Sequence, residues 1–272
     1  LSVTHLNTFL KCPRTFYYQH VLRIPQAKNQ YMAFGTAMHF ALDSSFKAML
    51  AHSKKEMPTV DFAIQQYNFS IKNQGDSLNE KILASLLLRG EEQLKALFTR
   101  RKAQWEMNTN FSTEKKIEGV VVRGVPIKGQ LDKLIFSQNM VDVVDFKTGK
   151  YSNKKKSIAP PQKEALPSEG EKYYGGDYWR QVVFYKILVD SSSSIQHTFQ
   201  RGIISYVQEE KGKFHEIVME PSQEEVEIVS TQIEESYAAI KNGEFNKSCA
   251  EEKCYWCNFQ KQLAMNKIDI DM

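Results

Sequence analysis

Gly129-Gln130-Leu131-Asp132, followed closely by Asp145-Phe146-Lys147-Thr148-Gly149, decides how the middle of this chain is read. Residues around the second stretch alternate, so Val141, Val143, Asp145 and Lys147 share one face of a strand while Asp142, Val144 and Phe146 share the other. Asp145 and Lys147 therefore point the same way. A preceding strand, about Pro126 to Phe136, pairs antiparallel with it through Ser137 to Asn139, because a short Ser-Gln-Asn link favours a hairpin. That hairpin carries Asp132 into the same neighbourhood. Two carboxylates side by side repel, and desolvating them unpaired is costly, so a site holding both usually holds a divalent cation or a cationic partner. Lys147 alone can be that partner, and a surface ion pair is the ordinary outcome for an isolated Asp-x-Lys.

Other residues bear on the choice. Upstream, Phe34-Gly35-Thr36-Ala37-Met38-His39 reads as a glycine-started helix with a histidine in its first or second turn. Neutral imidazole there can be a further metal ligand, although a single histidine is more often simply packed. Downstream, Asp177-Tyr178-Trp179-Arg180-Gln181-Val182-Val183-Phe184-Tyr185 reads as a helix with Gln181 and Tyr185 four apart on one face. The wider pattern predicts helices near Ser2 to Tyr18, Gly35 to Ala51, Thr59 to Lys72, Leu78 to Trp105 and Pro221 to Asn242. Strands are predicted near Ile117 to Arg123, Val125 to Phe136, Met140 to Lys147, Thr198 to Val207 and Lys213 to Met219. Lys150 to Gly176, rich in Pro, Ser, Gly and charge and containing Lys154-Lys155-Lys156, reads as a long loop, either functional or solvated.

Cysteine gives a second signal. Cys12 stands near the start, and Cys249, Cys254 and Cys257 cluster near the end with none between. Cys-x4-Cys-x2-Cys with one remote partner supplies four thiolates, the ligand count of an iron-sulfur cluster or of tetrahedral zinc. A disulfide pair suits a chain of cytosolic character poorly, and buried unligated cysteines are the plain alternative.

Taken in order, His39, Asp132, Asp145-x-Lys147 and Gln181-x-x-x-Tyr185, behind an entry helix running from Leu1 through Cys12-Pro13 to Tyr18, resemble the RecB-like nucleases of the PD-(D/E)XK superfamily. The chain is similar to the nuclease domains of bacterial helicase-nuclease (AddB/RecB-type) recombination proteins. The resemblance implies an α/β fold: a restriction-endonuclease-like central mixed sheet flanked by helices, with a helical lobe and a four-cysteine metal staple joining the N- and C-terminal segments. It implies one domain over 1–272, with the helical lobe about 40–110, the catalytic core about 111–220 and the C-terminal helix and cysteine cluster 221–260. His39, Asp132, Asp145 and the backbone carbonyl of Phe146 would hold Mg²⁺ or Mn²⁺, ions that suit an oxygen-rich site. Lys147 would orient the attacking water, while Gln181 and Tyr185 would hold the DNA backbone or a water network. Glu114, where many relatives carry a glutamate, reads as supporting structure rather than ligand.

The activity so implied is a metal-dependent deoxyribonuclease, an exonuclease acting with a helicase domain or subunit in DNA repair or recombination on DNA of single-stranded character, in the cytoplasm and off the membrane. Its alternatives are a catalytically idle DNA- or partner-binding relative and an iron-sulfur sensing module. Two positions depart from the family: Leu131 precedes Asp132 where proline is usual, and Lys133 stands where arginine is common. Neither removes a ligand. The cysteines Cys12, Cys249, Cys254 and Cys257 resemble those that bind a [4Fe-4S] cluster in several relatives, but there the terminal spacing is Cys-x2-Cys-x5-Cys. Here Leu263 falls where the last would be and Cys249 supplies the thiolate from the other side, which makes structural Zn²⁺ a competitor.

Composition fits one such unit. At 272 residues the chain exceeds the common domain size, so a helical lobe around an α/β core is economical. Lys and Arg number 36 against 32 Asp and Glu, so a DNA footprint must come from local clusters rather than global charge. Tyr173, Tyr174, Tyr178 and Trp179 are candidates to stack on bases or to pack their helix. The apolar run Ile82 to Leu88 is too short to span a membrane and is closed by Arg89, Glu91 and Glu92. No phosphate-binding Gly-x-x-x-x-Gly-Lys-Ser/Thr loop occurs, so any ATP-driven motor lies outside this chain. The start at Leu1 fits a domain taken from a longer polypeptide, and processing explains it equally well.

Overall fold

The structure is a computed structural model; it describes residues 1–26, 29–74, 78–151, 157–249 and 251–268. The first helix, α1 (Val3–Lys11), starts where the Ser2 hydroxyl accepts the His5 N–H. It stops at Cys12, which is extended, before α2 (Pro13–Phe16) and a π turn (Tyr17–Val21). The single helix expected over 2–18 is thus broken, because a residue before proline is pushed out of the helical region. α3 (Gln30–Ala51) also begins earlier than expected. The Asn29 side chain accepts from Tyr31 and Met32 and caps it, so Gly35 lies inside the helix and does not open it. α4 (Val60–Lys72) and α5 (Glu80–Glu106) follow, capped by Thr59 and Asn79.

Next come β1 (Phe111–Val122), β2 (Val125–Ser137) and β3 (Met140–Lys147), which form an antiparallel meander. The β2–β3 turn closes on the Ser137–Met140 pair, with Gln138 in the left-handed region at φ 50°. A short helix α6 (Glu171–Tyr174) leads to α7 (Asp177–Asp190), which crosses over to β4 (Thr198–Tyr206), parallel to β3. β5 (Glu216–Met219), shorter than the strand expected from Lys213, pairs antiparallel with β4. α8 (Gln223–Lys241) and α9 (Tyr255–Ile268) end the described chain. The sheet runs in the order β1-β2-β3-β4-β5, mixed in direction.

A core lies on each face of this sheet, so the alternation in β3 selects between two interiors. Val141 and Val143 pack with Leu6 of α1, Val183 and Leu188 of α7, and Ile233 of α8. Val144 and Phe146 pack with Met38 and Phe46 of α3, Tyr67 of α4 and Leu94 of α5. The apolar run of α5 contributes Leu86 to this second core; among the described residues no helix is long and apolar enough to cross a membrane.

α7 lies tightly on the sheet because two strand positions opposite it lack side chains. A Cβ on Gly129 would stand 2.5 Å from Leu188, and one on Gly202 2.4 Å from Val182. Residues 157–176 are tied to the start of α7, with the Tyr178 and Trp179 N–H groups donating to the Ser157 carbonyl and Gly176 to that of Ala159. The segment expected to be structureless therefore carries a short helix and backbone bonds of its own. Lys154-Lys155-Lys156 lies outside the described residues. Beneath this segment Arg180, 2% exposed, donates to the carbonyls of Tyr174 and Gly175 and to Gln232, Asn7 and Asp177. It joins α1, α7 and α8 around one buried charge, with the donors of its guanidinium satisfied as burial demands.

Candidate metal-dependent active site

The β2–β3 ladder is regular as far as the Lys133–Val144 pair. One step further, where Asp132 and Asp145 come level, a side chain replaces the backbone: Asp132 Oδ2 accepts the Phe146 N–H at 2.8 Å. Asp132 is thereby fixed at the splitting point of two strands. On its other side β1 pairs Thr113 with Lys133 and Lys115 with Leu131, leaving Glu114 between them. Glu114 has φ 48°, a left-handed conformation that costs a non-glycine residue energy and here turns the strand locally.

Helix α3 supplies His39, whose Nδ1 lies 3.4 Å from Asp132 Oδ2. The helix is held to the sheet on both sides of that residue. Gly35, one turn before, admits Thr148, whose Oγ1 would be 3.2 Å from a Cβ. Asp43, one turn after, accepts the Thr113 hydroxyl at 2.7 Å. His39, Glu114 and Asp132 consequently bring an imidazole nitrogen and two carboxylate oxygens within 4.8 Å of one another.

Asp145 is buried beside them in a network of its own. Its Oδ2 pairs with Lys147 Nζ at 2.7 Å, and its Oδ1 accepts from Gln181 Nε2 at 2.8 Å and from the Tyr185 hydroxyl at 2.9 Å. Gln181 Oε1 in turn accepts from Lys147 Nζ at 2.9 Å, and its Nε2 donates to Tyr185 at 2.6 Å. The expected i,i+4 pair therefore grips the Asp145–Lys147 pair. Its polar atoms point at those two side chains. Oδ1 already accepts twice, so Oδ2 is the Asp145 atom with capacity left for a cation.

Charge in this pocket is unbalanced. Burial raises the pKa of Asp145 despite the pull of Lys147, and the Asp132 charge adds to it. Burial likewise raises Glu114, although Gln130 donates to it, and Asp132 and Asp43 push it further. Burial works to lower His39 and Lys147, but the carboxylates outweigh it: Asp132 foremost raises His39, and Asp145 raises Lys147. Tyr185 is driven well above its ordinary value by burial and then by Asp145 and Asp132. Three carboxylates facing one lysine and one histidine are relieved by a cation.

Glu114 is the member that sequence reading left among supporting residues. With β1 expected to start at Ile117, it fell outside any strand. The strand starts at Phe111 instead, because that ring enters the second core and pairs with Ile135, and this sets Glu114 beside Asp132. Of the aromatic candidates, Trp179 is core, 3% exposed, with its indole N–H donating to Glu225. The Tyr178 ring lies under Lys147 Nζ at 4.8 Å, and Tyr173 is exposed.

The cysteines also converge. Cys12 Sγ is 3.6 Å from Cys257 and 3.8 Å from Cys254, and Cys249 is 3.7 Å from Cys257. All four sulfurs lie within 4.8 Å of one another.

Residues 1–262 match the profile of the PD-(D/E)XK nuclease superfamily. The chain belongs to that superfamily. A crystal structure described as "Putative exonuclease" from Eubacterium rectale has TM-score 0.57 and 15% identity, covering 95% of this chain and 86% of its own. That likeness is one of fold. A crystal structure named SSO0001 has TM-score 0.37 and 18% identity over 88% of this chain and 75% of that one. No curated protein sequence matches the chain. The five-stranded mixed sheet with helices on both faces is consistent with the superfamily's architecture.

Proposed function

We propose that this PD-(D/E)XK domain is a Mg²⁺- or Mn²⁺-dependent deoxyribonuclease, an exonuclease working with a helicase on DNA of single-stranded character. The observation that carries the reading is the convergence of His39, Glu114 and Asp132 beside a buried Asp145–Lys147 pair. The donor set fits a hard divalent ion: two or three carboxylates, one imidazole and the adjacent Phe146 carbonyl, in a pocket whose raised carboxylate pKa values call for positive charge. Such an ion, when bound, lowers the pKa of a water and polarises the phosphoryl oxygen.

The protein's own groups have separable tasks. Lys147 stays charged, held between Asp145 Oδ2 and Gln181 Oε1, and directs a cationic N–H group toward the place where phosphate charge builds up. Tyr185 stays protonated and donates to Asp145, so it is a holder and not a base. Gln181 bridges acid and lysine, fixing their separation. In this reading Gln181 and Tyr185 lie beside the metal site and hold the reacting pair from the α7 side.

As a biological unit we place the chain, one domain over 1–272, within a longer helicase-nuclease protein of the cytoplasm that acts in repair or recombination. The resemblance of the motif order supports this. An idle relative is disfavoured because acid pair, lysine and histidine are all present. The test is cleavage of end-labelled single- and double-stranded DNA with Mg²⁺, Mn²⁺ or EDTA. Metal-dependent release of mononucleotides or short products from ends is expected; DNA binding with no cleavage in either ion would overturn the reading.

A further inference from the structure

We infer that Cys12, Cys249, Cys254 and Cys257 hold a single zinc ion and not an iron-sulfur cubane. This goes beyond the nuclease reading and does not depend on it. One tetrahedral ion with metal–sulfur bonds of about 2.3 Å sets its sulfurs about 3.8 Å apart. The three close pairs here, at 3.6, 3.7 and 3.8 Å, have that spacing, and every other pair is within 4.8 Å. In a [4Fe-4S] cluster each thiolate binds a different iron at a corner of the cube, so the sulfur tetrahedron must be wider by the whole iron tetrahedron. The sulfurs of this chain leave room for one ion at their centre. They are also too far apart for a disulfide, whose sulfurs stand about 2.05 Å from each other.

The surroundings hold this narrow spacing. Cys12 and Cys257 are buried, and the Thr15 N–H donates to Cys12 Sγ at 3.4 Å while its hydroxyl lies 3.6 Å from Cys254 Sγ. Trp256 stacks on Tyr18 with ring centres 4.5 Å apart, and the Tyr18 hydroxyl donates to Gln260, closing the side of Cys257. A cavity of about 250 Å³ borders the cluster, lined by Cys12, Cys249 and Cys254 with Thr8, Lys11 and Thr15 among others. A cubane would require the sulfurs to part beyond the spacing they have here. The displaced spacing in sequence agrees: Cys249 approaches from a segment before Cys254, where Leu263 on α9 is 41% exposed and takes no part.

The experiment is metal and sulfide analysis of the whole chain, expressed with iron and zinc both supplied and purified without oxygen, with an absorption spectrum of the same sample. The expected result is about one zinc per chain, no acid-labile sulfide and no visible colour. A Cys257→Ser variant should lose the zinc, and Co²⁺ exchanged into the wild type should give the strong visible bands of a tetrahedral thiolate site. Four irons with four sulfides per chain, one iron without sulfide, or no tightly bound metal would each overturn the proposal. None of these readings depends on whether DNA is cut.

Discussion

The acidic site and the cysteine cluster are both convergences of distant residues, but they are held in different ways. Asp132, Asp145, Lys147, Gln181, Tyr185 and His39 all sit on long strands or helices whose other residues fill two cores. Of the cysteines, Cys12 lies at a break between helices, Cys249 and Cys254 in irregular chain, and only Cys257 in a helix. The first site is shaped by apolar burial and should keep its geometry without its ion. The second is anchored largely in irregular chain, so its ion supplies stability that no long strand or helix replaces.

The contrast is tested most strongly on the acidic side. Asp145→Asn and Lys147→Ala should each lower cleavage by about 10³-fold, in the range of catalytic groups acting in the transition state. Zinc content should remain near wild type in both; the melting temperature should stay close in Asp145→Asn and fall in Lys147→Ala, which leaves a buried carboxylate without its cation. Cleavage within tenfold of wild type in both variants would remove the pair from the chemistry. The cysteine side should show the converse. Cys257→Ser, or stripping the thiolate metal, should lower the melting temperature by roughly 5–10 °C, whereas removing Mg²⁺ should leave it almost unchanged. Equal responses to both treatments would erase the distinction.

Smaller effects sharpen it. Tyr185→Phe removes one hydrogen bond to a buried carboxylate and should cost about tenfold in kcat, the size of a net hydrogen bond to a charged group; an unchanged rate would confine Tyr185 to packing. The smallest effect concerns pH. His39 has a pKa raised by Asp132 against burial, so in the metal-free fold its proton adds stability below the ordinary imidazole range, and that contribution is lost as pH rises through the raised value. Metal binding must displace the same proton. Mg²⁺ affinity measured by titration should therefore tighten with rising pH across that window, and His39→Asn should flatten the dependence; an equal slope in the variant would exclude His39 as a ligand.

Several elements were legible from local pattern. The strand alternation set Asp145 and Lys147 on one face, and the helical period set Gln181 and Tyr185 together; both pairs meet in one network. The helix break at Cys12 was also written in the sequence, by Pro13, but was outweighed by the apolar pattern on either side. Glu114 was marked only by its place in the family pattern, and its position beside Asp132 was not legible. Its place depends on the left-handed turn of β1 at that residue and on the pairing of Phe111 with Ile135, neither of which leaves a local periodic trace. The helix α9 was unmarked because most of its side chains, from Gln260 to Met265, are exposed and show no apolar period.

What the sequence by itself determined is the inventory of chemistry and its local directions: which acids, which lysine, which thiols, and which neighbours share a face, since strand and helix periods are properties of the backbone alone. What only the tertiary structure decided is distance between remote segments. His39, Glu114 and Asp132 meet because α3 and two strands pack on a common core, and the sulfurs stand one ion's width apart because α2, capped by Cys12, is brought against α9. Such separations depend on how whole surfaces fill space, and no short stretch of chain contains that information.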